Sequence, residues 1–126
     1  MVVGLVWKTG ALLTATGMSF GAFGSHGLRA RQPPLSEKLI ANWGTASSYM
    51  IYNGLALLAI SFHPGLNSGL KRYKAAPIMI ASGAALFSGT IFGLVLLRDG
   101  GLRKVLGPLT PVGGMLMIGG YILLAL

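Results

Sequence analysis

The charged residues of this chain sit in short groups between long apolar stretches, and no other feature constrains its fold as strongly. The basic groups are Arg29, Arg31 and Lys38, then Lys71, Arg72 and Lys74, then Arg98, Arg103 and Lys104. A soluble domain usually carries about 25% charged residues, enough to clothe its core in polar surface. Here charged residues are 10%, hydrophobic residues 53% and the mean hydropathy is +0.71. Too few polar side chains exist to cover such a core, so lipid is the expected solvent. The net charge of +8 arises from ten Lys and Arg against Glu37 and Asp99. Because the cations form no long run, nucleic acid is not the expected partner. Their position between apolar segments is where a membrane protein meets anionic headgroups, each cation there contributing roughly 1 kcal/mol.

Four apolar segments predict an all-α membrane protein, a single domain built as a bundle of four transmembrane helices with short loops. The expected helices are 5–24, 36–62, 75–97 and 109–126. Lys8 near the start of the first can extend its amine to the interface. That segment reads as a retained helix rather than a cleaved signal, because the chain after it stays apolar. Pro33 and Pro34 disfavour helix before the second segment, where Ser36 is the expected N-cap and Glu37 suits the positive helix end. His63-Pro64-Gly65 closes that helix, and Gly69 to Lys74 reads as a basic turn. Pro77 fits the first turn of the third helix. Arg98-Asp99-Gly100-Gly101 is a turn by composition, and Pro108 and Pro111 open the fourth helix. Four spans place both termini on one side, and a Lys/Arg balance of six to four puts the first and third loops on the cytoplasmic or matrix side. Trp7, Trp43 and Tyr73 fall near the expected boundaries, as an interfacial aromatic belt requires.

Glycine is abundant, with 20 residues. Gly17 and Gly21, Gly89 and Gly93, and the pair Gly113-Gly114 stand at spacings that let helices approach closely, as does Gly24. In lipid that approach must come from dispersion, which small residues permit. Gly pairs can serve the bundle itself or a second membrane subunit.

No reactive constellation emerges. Cysteine is absent, which removes disulfides, thiolate catalysis and Cys-ligated metals. Glu37 and Asp99 lie at expected helix ends, where capping is the ordinary role. His63 stands beside a proline at a helix end. His26 lies within Gly21-Ala22-Phe23-Gly24-Ser25-His26-Gly27-Leu28, where it can tie the end of the first helix to the bundle or touch a lipid, quinone or ion. Asn53, Ser82, Ser88 and Thr90 read as interhelical glue. No catalytic, cofactor or metal site is expected, and bound phospholipid is the one expected ligand. Candidate headgroup contacts are Arg29, Arg31, Lys71, Arg72, Lys74, Arg103 and Lys104.

The segment Gly21-Ala22-Phe23-Gly24-Ser25-His26-Gly27-Leu28 closely resembles the signature of the small membrane proteins called DUF423, which include a eukaryotic transmembrane protein 256-like branch. Gly21, Phe23, Gly24, His26 and Gly27 carry that motif. Three further blocks agree in order: residues 43–49 (Trp-Gly-Thr-Ala-Ser-Ser-Tyr), 87–90 (Phe-Ser-Gly-Thr) and 106–114 (Leu-Gly-Pro-Leu-Thr-Pro-Val-Gly-Gly). Two positions depart from the pattern, Asn53 where histidine is common and Tyr121 where tryptophan is common. The resemblance implies a four-helix membrane protein and no reaction. The start of the second helix looks more like the eukaryotic branch, which favours the mitochondrial inner membrane, with a bacterial plasma membrane as the alternative.

The resulting expectation is a non-catalytic accessory or structural subunit of a larger membrane assembly, such as a respiratory-chain complex. It would pack through Gly-rich faces and order lipid, with membrane lipids and other membrane subunits as partners and no soluble substrate. The rival is a small transporter or a lipid- or quinone-binding protein using His26, Asn53 and Ser88 around an internal cavity.

Overall fold

The computed structural model describes residues 2–32, 34–97 and 100–126. They form four α-helices: α1 (Val2–Phe23), α2 (Glu37–Ile60), α3 (Lys71–Leu96) and α4 (Gly100–Ala125), with no strand among the described residues. A π-helical turn, Gly24–Leu28, extends α1, and a 3-10 turn, Pro64–Asn67, lies between α2 and α3. Pro33, Arg98 and Asp99 fall outside the described residues, and with them the turn and capping roles expected there.

Local chemistry sets the helix ends. Ser36 caps α2, its hydroxyl accepting from the Leu39 N–H at 3.2 Å, and Glu37 follows in the first turn. His63 caps the 3-10 turn by accepting from Gly65 N–H at its Nδ1, 3.0 Å away. Gly69, the one described residue with positive φ (+80°), reverses the chain immediately before α3. That reversal is why α3 begins at Lys71 rather than near 75: the basic group 71–74 is its first turn, not a loop, and Pro77 stands inside the helix. Likewise α4 begins at Gly100 rather than 109, and Pro108 and Pro111 lie within it. Each proline removes one backbone donor, a loss that helices packed in a bundle tolerate when neighbours hold them in place. Here Leu106 stands against Gly93, and the Thr110 hydroxyl meets that of Thr90 at 2.6 Å.

Consecutive helices pack antiparallel, α1 on α2, α2 on α3 and α3 on α4, with a smaller contact of α1 on α3. A small residue at every seventh position marks the seams: Gly10, Gly17 and Gly24 on α1 and its π-turn; Ser47 and Gly54 on α2; Ala76, Gly83 and Thr90 on α3; Gly113 and Gly120 on α4. A seven-residue repeat keeps one stripe facing a partner along a left-handed pair. A Cβ on Gly10 would lie 2.7 Å from Gly54 O, and one on Gly83 would lie 2.7 Å from Gly113 O. The backbones themselves are therefore in contact at both crossings. Side-chain cores fill the two ends instead. One gathers Leu28, Leu35, Trp43, Ala46, Met50, Phe92 and Val95. The other gathers Val6, Leu57, Leu66 and Ile80.

The outer surface is apolar. Leu5, Leu12, Ile78 and Met115 are each about two-thirds exposed. By length and apolarity α3 and α4 qualify as membrane spans. At 1.5 Å per residue each 26-residue helix reaches about 39 Å, more than the roughly 30 Å of a hydrocarbon core. Only 17% of the apolar window of α4 is buried, so it is no core helix of a soluble domain. The helices α1 and α2 are long, at 22 and 24 residues, but do not qualify in the same way, carrying Lys8, Thr9, Thr14 and Thr16, and Asn42, Thr45, Ser47 and Asn53. Four helices are thus present, and two of them meet the criterion for a span.

Candidate functional site at the Gly24–Leu28 turn

The glycine-rich motif folds as the π-turn, and the reason lies in its aromatic neighbours. A Cβ at Gly24 would stand 2.5 Å from Cδ1 of Trp43, and one at Gly27 would run into the Phe23 ring. Bare backbone at these positions lets the Trp43 indole lie directly against the turn. Its Nε1 donates to Phe20 O at 2.6 Å. Its ring stacks on Phe20 at 5.7 Å and 11°, and meets Phe92 of α3 at 4.5 Å. Phe23 adds a contact at 5.6 Å. Trp43 is thus 2% exposed and ties three helices together, and it does not belong to the interfacial belt expected for it. The widened turn then drops Leu28 fully into the core and leaves Arg29 at the surface.

Beside the turn is a cleft of about 230 Å³ whose lining includes Gly21, Ser25, Arg29, Glu37 and Trp43. Arg29 and Glu37 face each other at 3.6 Å across its rim, both well exposed, so the pair contributes at most about 1 kcal/mol. Gly21 has room for a Cβ, the nearest atom being Ser47 Cβ at 3.7 Å. The His26 side chain is exposed and takes no hydrogen-bond partner among the described residues, while its carbonyl accepts from Ala30 N–H at 3.3 Å. The backbone of the turn, rather than the imidazole, therefore joins α1 to the bundle.

The residues expected around an internal cavity are not brought together. Ser88 is fully buried and donates to Ala46 O of α2 at 2.7 Å. Asn53 is buried between α2 and α4: its Nδ2 donates to Tyr49 O at 2.7 Å and reaches Met117 Sδ at 3.2 Å, while its Oδ1 accepts from the Tyr121 hydroxyl at 2.6 Å. The two departures from the family pattern, Asn53 and Tyr121, are therefore one hydrogen-bonded pair. A lateral groove of about 360 Å³ runs over it between Tyr49, Phe87 and Ile118. Ser82 bonds within its own helix to Ile78 O at 2.7 Å.

Of the glycines expected at helix contacts, a Cβ on Gly17 would lie 3.0 Å from Ile51 N, and one on Gly113 would lie 2.5 Å from Phe87 N. Gly93 meets only the mobile tip of Leu106, Gly114 has ordinary clearance at 3.8 Å, and Gly89 faces open space. Gly89 points outward and so does not serve the bundle itself, which leaves contact with a second membrane subunit as the other use expected of its spacing to Gly93. The closest backbone crossings, at Gly10, Gly54, Gly83 and Gly113, follow the seven-residue repeat rather than the four-residue one.

The cations divide between the two ends of the bundle. Arg29, Arg31, Lys38, Arg103 and Lys104 share one end with Glu37, and Lys71, Arg72 and Lys74 stand at the other. Arg72 lies 4.9 Å over the Tyr73 ring and donates to its hydroxyl at 3.3 Å, while Tyr73 stacks on His63 at 5.0 Å. Lys38, absent from the expected headgroup set, lines a separate cleft with Arg103. Taken together these groups offer hydrogen bonds satisfied apart from the buried Nε of Arg72, stacked rings and surface cations: a rigid joint and places for anions.

The model of DUF423, a protein of unknown function, matches residues 20–114. A UPF0382 membrane protein (C1782.12c) of Schizosaccharomyces pombe is 44% identical over 92% of this chain and 94% of its own. A UPF0382 membrane protein (SAB0533) of Staphylococcus aureus is 39% identical over 91% of this chain and 87% of its own. The UPF0382 membrane protein YwdK of Bacillus subtilis is 30% identical over 91% and 88%. No solved structure matches the chain. Matched by that model over residues 20–114 and by relatives 30% to 44% identical along nearly its whole length, the chain belongs to the DUF423 family of membrane proteins.

Proposed function

We propose that all four helices cross the bilayer and that the protein is a non-catalytic accessory subunit of a larger membrane assembly, packing laterally and ordering lipid. The observation that carries this reading is the contrast between α4's two faces. One is locked to α3 through Gly113 and Gly120, while the other leaves Met115, Ile118 and Ile122 exposed. A helix anchored so firmly on one side and so apolar on the other is suited to lateral contact. The helices α1 and α2 can cross lipid because buried polar groups on them are used internally: Thr14 donates to Gly10 O at 2.8 Å and Ser47 to Trp43 O at 3.0 Å. Lys8 is exposed in the second turn of α1, within snorkelling reach of the interface.

The mitochondrial inner membrane, with a respiratory-chain complex as host, is the proposed setting for a eukaryotic source, and the plasma membrane for a bacterial one. In support, identity is higher to the fission yeast relative than to the two bacterial relatives named above. The groove over Asn53 and Tyr121 favours the rival ligand-binding reading, but both polar ends of Asn53 are already engaged by the protein.

The test is the mass of the native assembly after digitonin extraction, by native gel and mass spectrometry. Co-migration with a large complex at fixed stoichiometry is the expected result. A band containing only this chain overturns the accessory reading and leaves ligand binding as its successor.

A further inference from the structure

Where the first turns of α2 and α4 meet the last turn of α3, a cleft of about 460 Å³ opens, a size typical of small-ligand sites. Lys38 comes from the first turn of α2 and Arg103 from the first turn of α4. Asn42 lies one turn deeper, and Leu39, Leu94 and Gly107 supply apolar surface. None of these lining residues is acidic, and Glu37, next to Lys38, is engaged with Arg29 instead. Among the described residues neither Lys38 nor Arg103 has an ion-pair partner. Two cations from different helices thus converge at a helix-end cleft, with an amide and leucines below them. Such an arrangement matches an amphiphile with an anionic head: charge at the membrane boundary, hydrocarbon toward the bundle. Basic pockets between membrane helices bind phospholipid heads for this reason.

We propose that the Lys38–Arg103 cleft binds the phosphate of an anionic phospholipid, with an acyl chain lying along Leu39, Leu94 and Gly107. The inference deepens the lipid-ordering part of the proposed function and rests on the membrane-embedded reading alone. It is independent of whether a partner subunit exists, which the native mass decides separately.

The test uses the full chain purified in neutral detergent. Native mass spectrometry follows retained adducts during titration with phosphatidylglycerol, with phosphatidylcholine and with inorganic phosphate. Phosphatidylglycerol is expected to bind with preference over the other two. The double variant Lys38→Gln/Arg103→Gln is expected to weaken it roughly thirty-fold, the factor that two cations near an anionic headgroup supply. Lys71→Gln/Lys74→Gln, at the opposite end, is expected to change affinity by less than about three-fold. Because a Cβ on Gly107 meets nothing within 4 Å, Gly107→Leu fills the cleft without disturbing the backbone or the charges, and it too is expected to reduce binding. Phosphatidylglycerol affinity unchanged in both cleft variants overturns the proposal. So does binding of inorganic phosphate as tight as that of the lipid, which identifies a soluble-anion site instead.

Discussion

Alanine at Gly54 places a methyl group 2.7 Å from Gly10 O, against Thr14 N at 2.6 Å and against the Thr14 hydroxyl. Two of these neighbours are backbone and cannot swing away. Ordinary contact begins near 3.4 Å, so α1 must retreat by roughly 0.7 Å along this crossing. Gaps of that size forfeit a quarter to a half of each dispersion contact they open, and overpacking of this kind costs about 1–3 kcal/mol. The Thr14 to Gly10 hydrogen bond, 2.8 Å long, lies in the same crossing and is strained with it, for about another 1 kcal/mol. Against this stands the better helix propensity of alanine, about 1 kcal/mol. The net expectation for Gly54→Ala is a loss of about 2 kcal/mol. Gly89→Ala makes the same chemical change in α3 where a Cβ meets nothing within 4 Å, and it should gain about 0.5–1 kcal/mol. Unfolding of each variant by sodium dodecyl sulfate in dodecylmaltoside micelles, followed by far-UV circular dichroism, measures both. Equal shifts of the same sign for the two variants would refute the claim that the helices meet backbone to backbone at Gly54.

Trp43→Ala removes a buried ring that ties α2 to α1 and α3 and should destabilise the protein by about 3–5 kcal/mol in the same unfolding assay, whereas an interfacial tryptophan would cost far less. Trp43→Phe keeps most of the packing but loses the donor to Phe20 O, for an expected cost of about 1 kcal/mol plus a small cavity term; a loss no larger than experimental error would show that the bond is not formed. A double-mutant cycle of Asn53→Ala and Tyr121→Phe should give a coupling of about 0.6–1.7 kcal/mol, the range of interhelical bonds in membranes, and a coupling of zero would separate the pair.

Much of this arrangement was legible in the residues and some was not, for identifiable reasons. Apolar stretches between basic groups predict helices, and four are present. Ser36 announces its capping role because a serine before an apolar helix has few other local uses. The prolines misled at α4, since Pro108 and Pro111 look like a start signal, whereas packing on α3 carries the helix through them. Trp43 misled as well. A tryptophan near a helix end reads as a boundary anchor, and only the bare backbone at Gly24, on another helix, shows that the ring has somewhere to be buried. Glycine spacing of four suggested Gly89 with Gly93, yet the close crossings obey a spacing of seven, visible in Gly10, Gly17 and Gly24 once antiparallel left-handed pairs are expected. The Asn53–Tyr121 bond joins residues 68 positions apart, which no local pattern could connect.

The proposal that all four helices cross the membrane is open to a direct test, because the chain has no cysteine of its own. Ala30→Cys marks the connection between α1 and α2, and Asn67→Cys marks that between α2 and α3; both positions are exposed. Each single-cysteine variant, in sealed vesicles of one orientation, is treated with a membrane-impermeant maleimide before and after permeabilisation. Four spans predict labelling from opposite sides, one site reacting in intact vesicles and the other only after permeabilisation. If only α3 and α4 cross, α1 and α2 stay on the side where α3 begins, and both sites react from the same side, contradicting the account.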